Sequence, residues 1–158
     1  MTNSTTFHVH ALPAAALDTV RRTGRDAADQ PVEARLAGGG EPLRCCLRDA
    51  EEGEVLLLFG YPPPGAAGPY REIGPVFAHA TACPGPDSAG SHPPAWRGRP
   101  QVLRAYDRQG RIHGGRLHDG TDPEAVIAEL FADPAVHQLH SRNVVYGCFM
   151  FAVERTAG

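Results

Sequence analysis

The sequence has no lysine: all fifteen of its basic side chains are arginines. That absence excludes a lysine Schiff base, a lysine-anchored pyridoxal phosphate and a P-loop lysine. No CxxC pair and no HExxH motif is present, so the compact metal-ligand spacings are missing. The four cysteines do not form a disulfide framework. Cys45 and Cys46 are adjacent, and consecutive Cα atoms lie about 3.8 Å apart, below the usual disulfide range. Serine is scarce and no GxSxG elbow occurs, which argues against a serine hydrolase, and Rossmann glycines are absent as well. The net charge of −3 comes without a basic stripe interleaved with aromatics, so nucleic acid is not an expected partner. Apolar runs such as residues 55–59 are far too short to span a bilayer, and residues 1–7 lack the charged and apolar regions of a signal peptide. A cytoplasmic protein without membrane contacts is the expectation.

What is present is 158 residues, enough for one domain with a real core. Its richest stretch is residues 136–155, VHQLHSRNVVYGCFMFAVER. β-branched and aromatic residues dominate it, no proline interrupts it, and residues 143–147 are its one natural break. Residues 148–153 are apolar on both faces and predict a central strand covered on both sides. Beside that strand stand His137, His140, Arg142, Asn143, Tyr146 and Cys148, polar groups that must find partners or bind something.

Taken in order, residues 7–12 read as a first strand with His8 and His10 on one solvated face, a pair too small for a structural zinc site. Residues 13–22 read as a helix stopped by Gly24, and residues 25–42 as weakly patterned chain ending in a glycine run. Residues 43–48 alternate and, with 54–60, predict a strand pair. Residues 75–80 give another strand, in which His79 shares a side with Phe77. Residues 101–107 and 110–117 predict two more, joined by a turn at 107–110. Val102, Arg104 and Tyr106 share one face of the first of these. Residues 121–132 form the second helix, with Thr121 and Glu124 spaced as a capping box and a buried stripe at Val126, Ile127, Leu130 and Phe131. Two Pro/Gly loops, 61–74 and 83–100, are long enough to flank a ligand site; the first carries Tyr70 and Arg71, the second Trp96, expected near the entrance. The fold class is therefore α+β, a mainly antiparallel sheet of six or seven strands with two helices.

The ordered segments PLRCCLRDAEEGEVLLLFGY, GPYREIGPVF, RAYDRQGRI, ELFADPAVHQLHSRN and YGCF resemble the bacterial family called domain of unknown function 1203, from about residue 32 to 155. The resemblance implies a shared fold and a shared site at Arg44, Tyr70, Arg71, Arg104, Tyr106, Asp107, His140, Asn143, Gly147 and Cys148. Two positions depart from the family's motifs: Leu43 stands where a cysteine is expected before Arg44, and Arg142 stands where a second histidine follows His140.

The side chains point to general acid–base chemistry on a polar small molecule, without an organic cofactor or a metal. Catalytic roles fall to His140, Tyr106 and Asn143, and substrate-binding roles to Arg104, Arg142, Tyr70, Arg71, His79, Arg44 and Trp96. An imidazole beside a fixed cation can move a proton while the guanidinium holds a carboxylate or phosphate. Isomerisation, cyclisation or a lyase step in specialised metabolism fits that set. The alternatives are a non-catalytic small-molecule or partner-binding domain, and a cysteine enzyme using Cys148 with His140 as base. The expected partners are a small-molecule ligand and at most a second copy of the chain.

Overall fold

Ten strands form two five-stranded sheets in the computed structural model, which describes residues 7–87 and 91–156. The first sheet has the order β1 (Phe7–His10), β10 (Phe149–Arg155), β9 (Gln138–Asn143), β7 (Gln101–Tyr106) and β8 (Ile112–His118). All its pairings are antiparallel. The second has the order β2 (Glu33–Leu36), β5 (Val55–Tyr61), β6 (Gly74–His79), β3 (Pro42–Leu43) and β4 (Arg48–Asp49), antiparallel except for one parallel pairing, Leu43 with Phe77. With α1 (Ala14–Thr23) and α2 (Pro123–Phe131) this is the expected α+β class.

Burial explains the layering. Ile127 and Phe131 of α2 pack with Leu103, Leu139, Phe151 and Val153 on one face of the first sheet. Leu17 and Val20 of α1 join Leu56, Val76 and Ala78 of the second sheet in another core, which Phe149 and Ala152 of β10 also enter. β10 is thus covered from both sides, as its unbroken apolar run requires. A bulge between Phe149 and Phe151 lets successive aromatic rings serve different cores.

Three local expectations are corrected. Residues 43–48 are not one strand: β3 ends at Leu43 and β4 begins at Arg48, with a tight turn between in which Leu47 (φ 57°) donates to Leu43 O. The alternation was misleading because the turn is enclosed from two sides, burying Arg44 along with Cys45 and Leu47. The α2 cap is Asp122, whose carboxylate accepts from Ala125 N, and no Thr121–Glu124 box forms. Glu124 is drawn instead to Arg97. Residues 33–36 form a strand despite their weak pattern: all four are exposed, so no apolar face marks them. Among the described residues no helix is long and apolar enough to cross a membrane.

Candidate functional site

The alternation of β7 and β9 builds a polar face. Because the two strands pair antiparallel, Tyr106 lies opposite Gln138, Arg104 opposite His140 and Val102 opposite Arg142. The intervening Leu103, Ala105 and Leu139 face the α2 core, so these polar side chains project to the other side. There the loop after β5 covers them. Its Pro63–Pro64–Gly65 segment and its Tyr70–Arg71–Glu72 segment close a cleft of about 260 Å³ over β9 and the end of β7. That volume suits a small metabolite, just below the roughly 300–1,000 Å³ of sites for larger ligands.

His140 forms the floor. Its Nε2 lies 2.9 Å from Pro64 O and 2.7 Å from Gln138 Oε1. Gln138 turns its amide nitrogen to Glu154 (2.8 Å), so its oxygen faces the ring. Both neighbours of Nε2 are acceptors, which fixes the tautomer: Nε2 carries the proton and Nδ1 the lone pair. Nδ1 is buried and has no partner among the described residues. Burial, reinforced by the charges of Arg142 and Arg104, holds the imidazole down to about 4 although the Pro64 carbonyl favours its charged form. The ring is packed between aromatics, tilted against Tyr106 (4.4 Å between centroids) and edge-on to Phe149 (5.2 Å). It is a neutral donor that pins the covering loop.

The charge of the cleft comes from its arginines. Arg142 is enclosed, donating through Nη1 to Gly147 O (2.9 Å) and through Nη2 to Glu72 Oε1. Arg104 Nη1 donates to the Tyr106 hydroxyl (3.2 Å) and lies 3.6 Å from the same Glu72 oxygen. One half-exposed loop carboxylate therefore bridges two guanidinium groups, while Arg142 Nε stays buried without a partner among the described residues.

Of the residues proposed from sequence, Tyr70, Arg71, Tyr106, Asp107, His137, His140 and Arg142 line the cleft, and Arg104 adjoins it through Tyr106 and Glu72. The others stand elsewhere. Arg44 is a buried strut whose Nε donates to Phe149 O (2.8 Å); burial lowers it to about 10, still charged. Trp96 is fully buried, stacked on Phe151 with its Nε1 on Asp49, not at an entrance. Asn143 Oδ1 accepts from Val145 N and Tyr146 N, shaping the β9–β10 turn. Cys148 lies in that turn, before β10 begins, rather than inside a buried strand. Neither ring nitrogen of His140 meets a thiol, so no Cys148–His140 dyad exists.

His79 sits apart from the cleft, with Nδ1 3.4 Å from Cys45 Sγ and Nε2 2.6 Å from Glu54. His79 and Cys45 converge with Cys46 and Cys83, the ligand atoms of these four all within 4.8 Å of one another. Sequence spacing concealed this set because Cys45-Cys46 and His79-x₃-Cys83 lie on separate elements. Glu72, Gln138 and Glu154, assigned no role from the sequence, also line the cleft. Gln138 shares the His140 face by simple alternation, and Glu72 follows Tyr70-Arg71 directly, so both carried a signal.

No curated protein and no solved structure matches the chain. A family model described as Protein of unknown function (DUF1203) matches residues 40–155, which contain every cleft residue named above. The chain belongs to that family.

Proposed function

We propose that this protein binds a small carboxylate-bearing molecule in the cleft over β7 and β9. The observation that carries the reading is the shared use of Glu72 Oε1 by Arg104 and Arg142. Two cations converging on one acceptor position suit an anion, and the loop carboxylate that they share supports a carboxylate as its class. Arg142 retains a buried, unpartnered Nε, so its fork has capacity for a second oxygen. Glu72 is half exposed, and its ion pairs are screened by water, so a free carboxylate competes with it on favourable terms.

A second reading, acid–base enzymology, is favoured by one specific contact. Arg104 donates to the Tyr106 hydroxyl, which leaves the phenolic proton free to be offered to a ligand in the cleft. His140 is a poorer proton carrier, because its donor is committed to Pro64 and Gln138 and its lone pair is sealed from the cleft. An isomerase, cyclase or lyase step would then depend on Tyr106.

The test is a thermal-shift and calorimetric panel of small mono- and dicarboxylates alongside their amides. Carboxylates should raise the unfolding midpoint and amides should not. If no carboxylate binds the parent or a Glu72→Gln variant, the anion-site reading fails.

A further inference from the structure

We propose that Cys45, Cys46 and Cys83, with Nδ1 of His79, bind one zinc ion that staples the β3–β4 turn to β6 and the loop after it. The ligand atoms come from three segments: Cys45 and Cys46 from the turn, His79 from the end of β6, and Cys83 from the following loop.

The geometry fits a tetrahedral ion. With Zn–S near 2.3 Å and Zn–N near 2.0–2.1 Å, the edges of such a site are about 3.8 Å between sulfurs and about 3.6 Å between sulfur and nitrogen. Cys45 Sγ lies 3.9 Å from Cys46 Sγ, and His79 Nδ1 lies 3.4 Å from Cys45 Sγ and 3.9 Å from Cys46 Sγ. Cys83 Sγ completes the set, within 4.8 Å of the other three. Three thiolates and an imidazole select a soft or borderline ion, and four-coordinate zinc is the match.

Neighbouring groups are arranged as a metal requires. His79 Nε2 is 2.6 Å from Glu54 Oε2, a separation that needs a proton between them, so Nε2 donates and the Nδ1 lone pair points to the sulfurs. A ligating histidine held by a carboxylate in this way has its ring fixed and its basicity raised. Glu54 is itself held by Arg48, at 3.1 and 3.2 Å, and by Glu51 N at 2.7 Å. The His79 backbone N–H donates to Cys45 Sγ at 3.3 Å, a contact that favours a thiolate.

The rival reading is a cysteine nucleophile, because Cys45, His79 and Glu54 also stand in a nucleophile–base–orienter line. It leaves two of the three thiols without a role, and the thiol that touches His79 most closely, Cys45, is buried. The metal uses all four groups.

The experiment uses the untagged full chain, reduced and freed of metal by a chelator, titrated with zinc against a chromophoric chelator and separately with cobalt(II). One equivalent of each should bind, and cobalt should give strong thiolate charge-transfer absorption with tetrahedral d–d bands. Cys83→Ser should weaken zinc binding by tenfold or more and reduce the charge-transfer intensity, whereas Cys148→Ser should change neither. If Cys83→Ser does not fold, two variants carry the test. Glu54→Gln keeps all ligands and should lose about ten- to a hundredfold in affinity. His79→Cys should retain one metal and gain charge-transfer intensity. An octahedral cobalt spectrum, or unchanged affinity in the ligand and Glu54 variants, overturns the proposal. Rapid alkylation of Cys45 that saturating zinc does not slow overturns it too, in favour of the nucleophile.

Discussion

Arg104 stands directly opposite His140 across the β7–β9 ladder, so a guanidinium and an imidazole share the same enclosed face. The imidazole yields: burial and the two neighbouring arginines hold it neutral, with its value lowered from 6.5 to about 4. His92, buried under Trp96 and Phe151, is held to about 4 by burial as well.

A pH dependence follows with a definite sign. Both histidines have folded values below their unfolded value, so the unfolded chain takes up protons first as pH falls. Stability from these groups is complete above about pH 6.5 and is lost between 6.5 and 4, a loss on the order of 3 kcal/mol for each. Carboxylates such as Glu54, lowered to about 2 by Arg48, Glu51 N and His79, act at lower pH. Urea unfolding should therefore show a clear drop in midpoint between pH 7.5 and 5. A flat profile across that interval would contradict the sequestered imidazoles.

Trp96 is the only tryptophan, so its emission reports one place. Its ring is fully buried and stacked on Phe151 at 14° between planes. Emission should be blue-shifted, resist acrylamide and ignore carboxylates that occupy the cleft. Trp96→Ala should destabilise by about 3–5 kcal/mol. Efficient quenching that a ligand relieves would return Trp96 to the entrance of the site.

Gly110 tests how the cleft wall is seated. It sits at φ 78°, and a Cβ there would lie 2.5 Å from the Ala66 carbonyl of the covering loop. Gly110→Ala should cost about 1–3 kcal/mol through backbone strain and push the loop outward, weakening ligand binding. Gly114→Ala, where a Cβ meets nothing within 4 Å, should be within about 0.5 kcal/mol of the parent. Equal behaviour of the two variants would show that the loop does not rest on this turn.

The contrast between legible and hidden parts has a physical basis. β5 and β10 were readable as unbroken apolar runs and β7 by its alternation, and alternation alone placed Arg104 with Tyr106 and His140 with Arg142. β2 was hidden because an exposed edge strand needs no apolar pattern, only the backbone of β5. The turn at residues 44–47 mimicked a strand because enclosure, not pleating, buried its residues. Convergence across distant elements left no trace in spacing. Cys83 meets Cys45 only because β6 delivers the following loop to the β3–β4 turn, and Glu72 meets Arg142 only because the loop after β5 folds over β9.

The last prediction concerns that meeting of Glu72 and Arg142. If Glu72 holds the place of a ligand carboxylate, removing its charge should tighten carboxylate binding rather than weaken it. Because Glu72 is half exposed, the gain is limited to about 1 kcal/mol, roughly five-fold in affinity. Arg104→Gln should act in the opposite direction, losing about ten- to a hundredfold through one charge-assisted contact. Arg104 is the better choice than Arg142, whose burial and bond to Gly147 O tie it to the β9–β10 turn and hence to folding. Combined, Glu72→Gln and Arg104→Gln should be non-additive, since each changes the partner of the other. Calorimetry with a dicarboxylate that binds the parent measures all four corners of the cycle. Weaker binding in Glu72→Gln would make Glu72 a supporting wall of the cleft and remove its role as an internal competitor.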